Sequence, residues 1–522
     1  MYKNPKRITL IISFLIILVL DVIVTVHVSR NLLDNDTSGE MLLSKCLYDE
    51  KSLICSDWDY ATEIRLTNQL VFAPLFGVFS DWTTIRIAGT LIIQALLLAS
   101  FVFLMKGVSL HTESILFGSS LLLLPYCVAY GRITLYHSYY ALYIAQAFFI
   151  TGLFLRIRNN QKGAQGLQIL LFLLCFIGCL QGLRIAYVSV IPLCILAFRF
   201  FLRREKENRQ IFRLAFFCGL AGAFGLLLYA LVISKLFRLG TQYNFRLSFK
   251  GKSEIFVVLF SILRQFGYRS GIGKGSFLGL MSFAGIGTAV YAVFLSGKAF
   301  LCEKDSRRYF LKAMLFVQLV MNFIIFLFFD LPYNTRFDYA RYLVPASVWI
   351  IPLFCAVYEE QKNRINVICF YTFSAVFMIN GLINLCFFHN PKHFSQEYDG
   401  LTFMDTKSIS RYEPSVRFIR SEGFELGYAF SDSNSLSEYM DGFPIIGLSV
   451  EDGKVTYFNW LQRASCRDLR AEKVFLIAGI NEAKTFRGST SRDLSELVYN
   501  QDDRFLIFRI NDPEAFKDFL GN

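Results

Sequence analysis

The amino-acid sequence predicts a polytopic α-helical membrane protein with about 11 transmembrane helices and a small α/β domain at its C-terminus. Its 522 residues are 54% hydrophobic and 18% charged, whereas an ordinary soluble domain is about 25% charged. The mean hydropathy is +0.44. Residues 1–388 carry a net charge of +17 and residues 389–522 a net charge of −5. This composition excludes a soluble enzyme, and bases between apolar runs indicate cytoplasmic loops rather than a nucleic-acid surface.

Stretches of about 17–25 apolar residues, the length that crosses roughly 30 Å of hydrocarbon, recur through the first three quarters of the chain. With a cytoplasmic N-terminus, every cytoplasmic connection contains basic residues, as in Lys3, Lys6 and Arg7 ahead of the first span. An odd number of spans then places the C-terminal segment outside the cytoplasm. The first span exceeds a signal-peptide core and lacks a small-x-small site, so a retained anchor is predicted rather than a cleaved leader. The spans lie near residues 8–28, 85–105, 113–129, 139–155, 166–182, 187–202, 212–234, 277–297, 312–331, 342–358 and 366–388.

Two domains are predicted. Residues 1–388 form the transmembrane domain, which includes a first outer loop at 29–84 and a basic outer loop at 235–276. The basic loop holds eight Lys and Arg residues against Glu254 alone, and a phosphate-bearing ligand would account for this excess. Its apolar piece Ile255–Leu263 is too short to cross, so we predict a helix in the membrane interface.

Residues 389–522 are predicted to form a soluble extracytoplasmic α/β domain, because the apolar runs shorten there and acidic residues become frequent. Val474–Ala478 and Phe505–Ile510 have the composition of strands. Pro414–Ser421 and Ser435–Tyr439 resemble short helices. The Asp452-Gly453 pair suits a tight hairpin turn.

Two acidic residues, Asp34 and Asp36, follow the first span closely in the first outer loop. A carboxylate at the membrane surface suits a general base that acts on a substrate delivered from the lipid. The alternative is structural: Asp36 or Thr37 caps a helix, and Thr37 with Glu40 forms a capping box. Capping accounts for one aspartate and not for both, so both interpretations stay open.

Further candidates for ligand binding lie near the predicted outer ends of the spans. The polar segment Asp57–Arg65 continues the first loop, with a surface pair of Glu63 and Arg65 as the alternative interpretation. An arginine also follows each of two later spans, and a third precedes a late span. Guanidinium groups match phosphate oxygens in bidentate fashion. The alternative for each arginine is interfacial anchoring beside tyrosines. These arginines are Arg132, Arg184 and Arg341, and the neighbouring tyrosines are Tyr187 and Tyr342.

The twelve cysteines do not form a metal motif, because most lie in or beside predicted spans and no CxxC or HExxH sequence occurs. Cys46 and Cys55 either form a loop-closing disulfide in an oxidising compartment or stay reduced. No cofactor and no protein-bound metal are predicted, although the sequence leaves a divalent metal open.

The layout and several short motifs resemble the GT-C superfamily of integral membrane glycosyltransferases, which includes protein O-mannosyltransferases and aminoarabinose transferases. The motifs are similar to those of uncharacterised bacterial members. They comprise Asp34–Leu47, Asp57–Phe76, Gly182-Leu183-Arg184, the Arg-Tyr-x-x-Pro sequence ending at Pro345, and Gly427–Phe430.

The resemblance implies an inverting transfer of a sugar from a polyprenyl-phosphate carrier, with Asp36 or Asp34 as the general base and Arg184 and Arg341 as ligands of the carrier phosphate. The family often has a further acidic residue in the second outer loop. Here Arg132–His137 has none, and Glu63 is offered in its place. The predicted substrate-binding residues are Glu40, Glu63, Arg65, Arg132, His137, Arg184, Arg341 and Tyr342.

We therefore predict a bacterial cell-envelope glycosyltransferase, multi-pass in the plasma membrane, with a cytoplasmic N-terminus and an extracytoplasmic C-terminal domain. Its partners would be a polyprenyl-phosphate sugar donor, an acceptor that is a glycan, lipid or protein of the envelope, and the bilayer, but no nucleic acid. The alternative class is a non-enzymatic transporter or flippase of lipid-linked or polar substrates. A flippase usually has repeat symmetry and polar residues deep in several spans, whereas here the polar residues gather near span ends.

Overall fold

The computed structural model of the protein describes residues 5–61, 63–64, 67–159, 165–202, 206–240, 252–268, 277–304, 306–329, 336–360, 364–389, 407–430, 432–451, 453–489, 494–501 and 504–521. The chain forms two compact units. The first comprises Met1–Val28, Thr90–Ile233 and Thr241–Phe403. The second comprises Ser29–Gly89, Ser234–Gly240 and Met404–Asn522, so the predicted first loop belongs to the same unit as the C-terminal segment. The division into domains 1–388 and 389–522 remains a prediction, and residues 390–406 beside that boundary lie outside the described residues.

Helices account for most of the described chain. Those before residue 240 are α1 (Pro5–Asn31), α2 (Asn35–Glu50), α3 (Asn68–Leu75), α4 (Trp82–Gly107), α5 (Thr112–Leu122), α6 (Val128–Tyr130), α7 (Ala141–Asn159), α8 (Gln165–Leu180), α9 (Leu183–Ile185), α10 (Ile191–Phe201), α11 (Lys206–Leu228) and α12 (Ser234–Leu236). Those after it are α13 (Lys252–Arg264), α14 (Phe277–Cys302), α15 (Ser306–Phe328), α16 (Arg336–Ser347), α17 (Ile350–Glu359), α18 (Arg364–His389), α19 (Glu413–Glu422), α20 (Ser433–Tyr439), α21 (Ile480–Ser489) and α22 (Pro513–Gly521). Three π-helical turns lie at Gly131–Tyr136, Ala186–Val190 and Tyr229–Ile233.

Within the described residues, nine helical stretches are long and apolar enough to cross a membrane. The chain is therefore a multi-pass membrane protein, but the predicted count of 11 spans is not confirmed. The predicted span 113–129 contains α5 of 11 residues, because Pro125 disfavours helical backbone at the residue before it. The predicted span 166–182 contains α8 of 16 residues. The nine stretches are Lys6–Asn31, Trp82–Gly107, Ala141–Arg158, Leu183–Phe201, Arg209–Leu236, Gly279–Cys302, Arg308–Phe328, Ala340–Glu359 and Asn366–Cys386.

The predicted interfacial helix 255–263 lies within α13, which has 13 residues. At about 1.5 Å per residue it extends roughly 20 Å, too little to cross the hydrocarbon. Its end is fixed inside the first unit, because the Gln265 side chain donates to the Ala340 carbonyl at 2.9 Å and accepts from the Ser347 hydroxyl at 3.0 Å. The rest of the basic loop, at 241–251 and 269–276, lies outside the described residues.

The second unit contains a six-stranded mixed sheet. Its strands run in the order β6 (Lys454–Tyr457), β5 (Ile445–Glu451), β4 (Leu426–Ala429), β8 (Val474–Gly479), β10 (Phe505–Ile510) and β9 (Ser495–Gln501). The central strand β4 is parallel to both of its neighbours. The predicted strands 474–478 and 505–510 and the predicted helices 414–421 and 435–439 are confirmed as β8, β10, α19 and α20. The pairing of Glu451 with Lys454 confirms the predicted hairpin between these two residues; Asp452 itself lies outside the described residues.

Alternating side chains of the sheet contribute to two apolar cores, as the two-residue period of a strand requires. Leu426, Tyr428 and Phe430 join the core that also contains Phe486 of α21 and Phe516 of α22. The opposite face of the sheet packs against α19 and α20 through a second core. The segment is thus a layered α/β structure, which agrees with the fold class that the sequence predicts.

Two short strand pairings and close helix contacts join the first loop to the C-terminal segment within the second unit, and one bridge joins it to the segment Ser234–Gly240. Strand β1 (Leu32–Leu33) pairs with β3 (Lys407–Ser408), and β2 (Trp58–Asp59) pairs with β7 (Gln462–Arg463). Tyr60 forms an isolated bridge with Leu239. Helix α2 approaches the C-terminal segment so closely that a Cβ at Gly39 would lie 2.8 Å from Leu461 Cβ. Glycine is therefore required at position 39 for this approach.

A buried ion pair fixes the same junction. Arg86, in the second turn of α4, pairs with Glu438 of α20, and their side chains are 8% and 3% exposed. Arg86 also donates to the Leu32 carbonyl at 3.3 Å. Beside this pair, the Asn35 side chain accepts a hydrogen bond from the Asn434 backbone at 2.9 Å. These contacts bring together the residues just after α1, the starts of α2 and α4, and α20.

We predict that Glu438→Gln destabilises the protein, because it removes the ion-pair partner of a buried guanidinium. Removing one partner of a buried ion pair costs about 3–5 kcal/mol. The apparent melting temperature of the purified full-length protein, measured by scanning fluorimetry, should therefore fall clearly. Glu514→Gln is the matched control, since Glu514 is 68% exposed in its pair with Lys517 and its loss should have little effect. Equal melting of wild type and Glu438→Gln would contradict the role of the ion pair.

Candidate functional site

Two arginines from distant parts of the sequence meet at one tyrosine in the first unit. The guanidinium carbon Cζ of Arg341 lies 4.8 Å from the centre of the Tyr139 ring, and that of Arg184 lies 5.8 Å from it. Arg341 also donates from Nη2 to the Tyr139 hydroxyl at 3.1 Å. The ring centres of Tyr140 and Tyr143 each lie 4.9 Å from Arg184 Cζ. We call Tyr139, Tyr140, Tyr143, Arg184 and Arg341 the tyrosine–arginine cradle.

Irregular backbone positions the cradle. Helix α8 ends before Gly182, whose φ of +136° is accessible to glycine at little cost. Arg184 follows in the short helix α9 and leads directly into the π-helical turn Ala186–Val190. Tyr139 and Tyr140 lie between the π-helical turn Gly131–Tyr136 and the start of α7. Such π-helical turns inside helices are frequent at functional sites because they re-aim side chains.

The cradle has the chemistry of an anion site. Its three tyrosines are buried, with exposures of 3%, 1% and 2% in chain order, while Arg184 and Arg341 are half-buried. The faces of the tyrosine rings stabilise the two cations, which otherwise repel each other. Guanidinium groups present paired N–H donors that match the oxygens of phosphate. The cradle thus combines guanidinium donors, which a phosphate group can accept from, with the apolar surface of three tyrosine rings.

Helix α2 carries the first-loop acids in the second unit, and the structure gives them different environments. Asp34 is the N-cap: its carboxylate accepts from the backbone N–H of Asp36 at 3.1 Å and of Thr37 at 3.3 Å. Asp36 lies in the first turn, half-buried. The structural alternative assigned the cap to Asp36 or Thr37, and this assignment is wrong. The capping box with Glu40 is wrong as well, because Glu40 is 2% exposed and accepts from the Asn68 side chain at 2.6 Å.

The second polar group of the first loop contacts arginines of the C-terminal segment. Asp57 accepts from Arg463 Nε at 3.2 Å and from the Ser465 backbone N–H at 3.2 Å. Asp59 pairs with Arg467. Burial raises the pKa of the Asp57 carboxyl, but the hydrogen bonds from Ser465 and Arg463 outweigh it, so the pKa lies below its usual value. These acids therefore hold the loop to the C-terminal segment.

The remaining predicted site residues have separate environments. Arg132 is 5% exposed in the π-helical turn Gly131–Tyr136, and His137, 8% exposed, follows directly after it. The ring centre of Tyr342 lies 5.9 Å from Arg341 Cζ, beside the cradle. Glu63 is half-buried in the second unit. Arg65 lies outside the described residues, so the predicted Glu63/Arg65 pair stays a prediction.

Sequence reasoning missed the tyrosines of the cradle and the arginines that contact the first loop. The run from His137 to Tyr143 contains three tyrosines within five positions, next to Arg132, and this aromatic density was the available signal. No local pattern links Arg463 or Arg467 to acids that lie about 400 positions earlier in the chain. Such long-range pairs arise only from the fold.

The fold matches a solved membrane protein. The crystal structure of ArnT from Cupriavidus metallidurans bound to undecaprenyl phosphate matches with a TM-score of 0.56 and 9% sequence identity, over 96% of this chain and 97% of that chain. The apo-state crystal structure of ArnT from the same organism gives a TM-score of 0.46 and 12% identity, over 97% and 98%. No protein-family model and no curated protein sequence matches the chain. The match to the bound form establishes a GT-C-like membrane fold and confirms that prediction.

We predict that Asp57→Asn lowers the stability of the protein at neutral pH and loses this effect in acid. The pKa of Asp57 is lower in the folded protein, so its carboxylate stabilises the fold above its unfolded pKa of about 3.9. That contribution, on the order of 1 kcal/mol, is lost as the pH falls through the lowered pKa.

Melting curves at pH 7, 5, 4 and 3 measure the effect, and the difference between wild type and Asp57→Asn should narrow below about pH 4. Asp49→Asn is the control, because Asp49 pairs with Lys45 at the surface and is 47% exposed. A difference that stays constant down to pH 3 would contradict the assigned ionisation.

Proposed function

We propose that the protein is a glycosyltransferase that moves a sugar from a polyprenyl-phosphate carrier to an acceptor outside the cytoplasm. The GT-C-like fold supports this class, and the ArnT structure with the higher TM-score contains undecaprenyl phosphate. The observation that carries the proposal is the convergence of Arg184 and Arg341 on Tyr139. Two cations held in an aromatic shell suit a lipid-linked phosphodiester, which combines a negative charge with an apolar tail.

The role of the cradle in the reaction follows from charge. When the glycosyl bond to the carrier breaks, negative charge develops on the leaving phosphate oxygen. Guanidinium groups fixed before the reaction stabilise that charge without further reorganisation. Arg341 is held by its hydrogen bond to the Tyr139 hydroxyl, and Arg184 lies against the rings of Tyr140 and Tyr143. The cradle residues would thus bind the donor and favour departure of the carrier phosphate.

The first-loop aspartate would supply the base. In the proposed inverting transfer, the acceptor oxygen attacks the anomeric carbon from the side opposite the phosphate while a carboxylate takes the proton of the acceptor hydroxyl. Asp34 already accepts two backbone hydrogen bonds as the cap of α2, which makes Asp36 the preferred base. These roles of the chain's own residues require no metal ion.

The proposed orientation places the N-terminus in the cytoplasm and the second unit outside, in the plasma membrane of a bacterial cell. Basic residues in the predicted cytoplasmic connections support it. The C-terminal segment would then recognise the acceptor, which is a glycan, lipid or protein of the cell envelope. Glu40, Glu63, Arg132, His137 and Tyr342 remain proposed contributors to substrate binding.

We predict that Arg341→Gln and Arg184→Gln each raise the KM for a polyprenyl-phosphate sugar, and that the double variant has the larger effect. Loss of a charge-assisted hydrogen bond to phosphate costs about 1.5–3 kcal/mol, or roughly 10- to 150-fold in kcat/KM. Arg341→Lys should restore only part of the loss, because lysine lacks the bidentate fork. Transfer from a panel of lipid-linked sugars with purified protein gives these values. Arg209→Gln, at an exposed arginine of the same unit, is the control, and equal kinetics of all variants would refute a phosphate site at the cradle.

We predict that Asp36→Asn abolishes most of the turnover without unfolding the protein. General-base catalysis contributes about 10²- to 10⁴-fold, whereas a half-buried residue of the first helical turn tolerates an isosteric amide. Asp34→Asn should retain activity and melting temperature, because asparagine caps a helix as well as aspartate does. A loss confined to Asp34→Asn would move the base to Asp34.

If both single variants and the double variant remain folded and active, the first-loop acids are structural and the proposed mechanism is wrong. If purified protein in vesicles moves the lipid-linked sugar across the bilayer and forms no glycosylated product, the transporter or flippase alternative is correct.

A further inference from the structure

Two cysteines of the first loop lie in contact within the second unit. Cys46 is on the last turns of α2, and Cys55 precedes β2. Their Sγ atoms are 2.8 Å apart. The residues are 4% and 0% exposed, and the Cys55 backbone N–H donates to the Tyr60 hydroxyl at 3.0 Å. Glu50 lies beside both sulfurs, with Oε1 3.4 Å from Cys46 Sγ and 3.7 Å from Cys55 Sγ.

Three potential metal ligands are thus close together, but their geometry fits a metal poorly. Two thiolates bound to one zinc at about 2.3 Å in tetrahedral geometry lie roughly 3.8 Å from each other, which is about 1 Å more than the 2.8 Å separation here. The third ligand is also engaged, because Arg463 Nη2 donates to Glu50 Oε1 at 2.8 Å. A guanidinium at the carboxylate opposes a second cation.

We propose that Cys46 and Cys55 form a disulfide. This bond fixes residues 50–59, to which residues 461–467 of the C-terminal segment attach. Glu50 and Asp57 both bind Arg463, and the Ala464 backbone N–H donates to the Asp57 carbonyl at 2.8 Å. A bond between residues 46 and 55 closes a loop that contains Glu50 and ends two residues before Asp57. It thereby restricts the positions of both acceptors.

The chemistry is a thiol–disulfide exchange with an external disulfide, such as oxidised glutathione or a dithiol oxidase. A hydrogen bond from the Cys46 thiol lowers the pKa of Cys55, so Cys55 Sγ is the attacking thiolate. It attacks one sulfur of the oxidant, and the other sulfur leaves as a thiolate. Cys46 Sγ then attacks Cys55 Sγ in the mixed disulfide and displaces the second thiolate. The two cysteines lose two protons and two electrons in total, and the oxidant leaves as two thiols.

The burial of both sulfurs determines when this reaction occurs. An oxidant reaches Cys55 only while the loop is open, before residues 461–467 attach. After attachment the disulfide is shielded from reductants. The proposal rests on the extracytoplasmic location proposed above, because disulfides persist in oxidising compartments.

Peptide mapping of the full-length protein tests the bond itself. Membranes are quenched with acid and N-ethylmaleimide, and the protein is digested without reduction. We expect a linked peptide pair that contains Cys46 and Cys55, with the other cysteines alkylated. Recovery of Cys46 and Cys55 as alkylated thiols would overturn the proposal.

Melting of the purified protein tests the consequence of the bond without any assay of transfer, so failure here is distinguishable from failure of the proposed function. A reductant with mild denaturant should lower the melting temperature of wild type by roughly 5–10 °C. The Cys46→Ser/Cys55→Ser variant should have the lower melting temperature without reductant, and the reductant should not change it. The control Cys302→Ser, at an exposed cysteine, should behave as wild type. An unaltered wild-type melting temperature would overturn the proposal. If a chelator lowers the melting temperature of wild type, and zinc co-purifies with wild type but not with the double variant, the two cysteines bind a metal and the disulfide proposal is wrong.

Discussion

The second unit depends on a buried ion pair between Arg86 and Glu438, whose side chains are 8% and 3% exposed. A charge at such a depth is tolerated only with its partner in place. Arg86 additionally binds the carbonyl of Leu32, where the chain leaves α1. The first loop and the C-terminal sheet therefore form one folding unit, although nearly the whole transmembrane part separates them in the sequence. Asn35, Asp57 and Asp59 also contact that segment.

The cradle of the first unit obeys a different constraint. Arginine is costly in a helical membrane protein unless its charge is stabilised locally. Here three buried tyrosines surround Arg184 and Arg341 and supply ring faces and one hydroxyl acceptor. Gly182 and the adjoining π-helical turn interrupt regular helix at this place. The interruption of regular helix at this place thus accompanies the convergence of Arg184 and Arg341 on Tyr139.

Local sequence patterns predicted much of the architecture. Nine of the predicted spans correspond to long apolar helices, because the thickness of the hydrocarbon sets their length directly. Strands β8 and β10 and the hairpin at Gly453 were predicted from residue type alone. The span predicted at 113–129 is not confirmed, because helix α5 ends at Leu122, shortly before Pro125, while the apolar composition continues. The candidate site residues were chosen as charged residues near span ends. This choice included Arg184 and Arg341 but not the tyrosines of the cradle.

The sequence by itself therefore determined the membrane class, most helices, the C-terminal strands and the charged residues available for chemistry, since each follows from composition or a short period. Tertiary structure alone decided which of these residues meet. It assigned the cap of α2 to Asp34 and buried Glu40 against Asn68. It also brought Arg463 to Asp57 and Arg184 together with Arg341 at Tyr139. The physical reason is that contacts across hundreds of residues depend on how whole helices and sheets pack, and no local propensity records that packing.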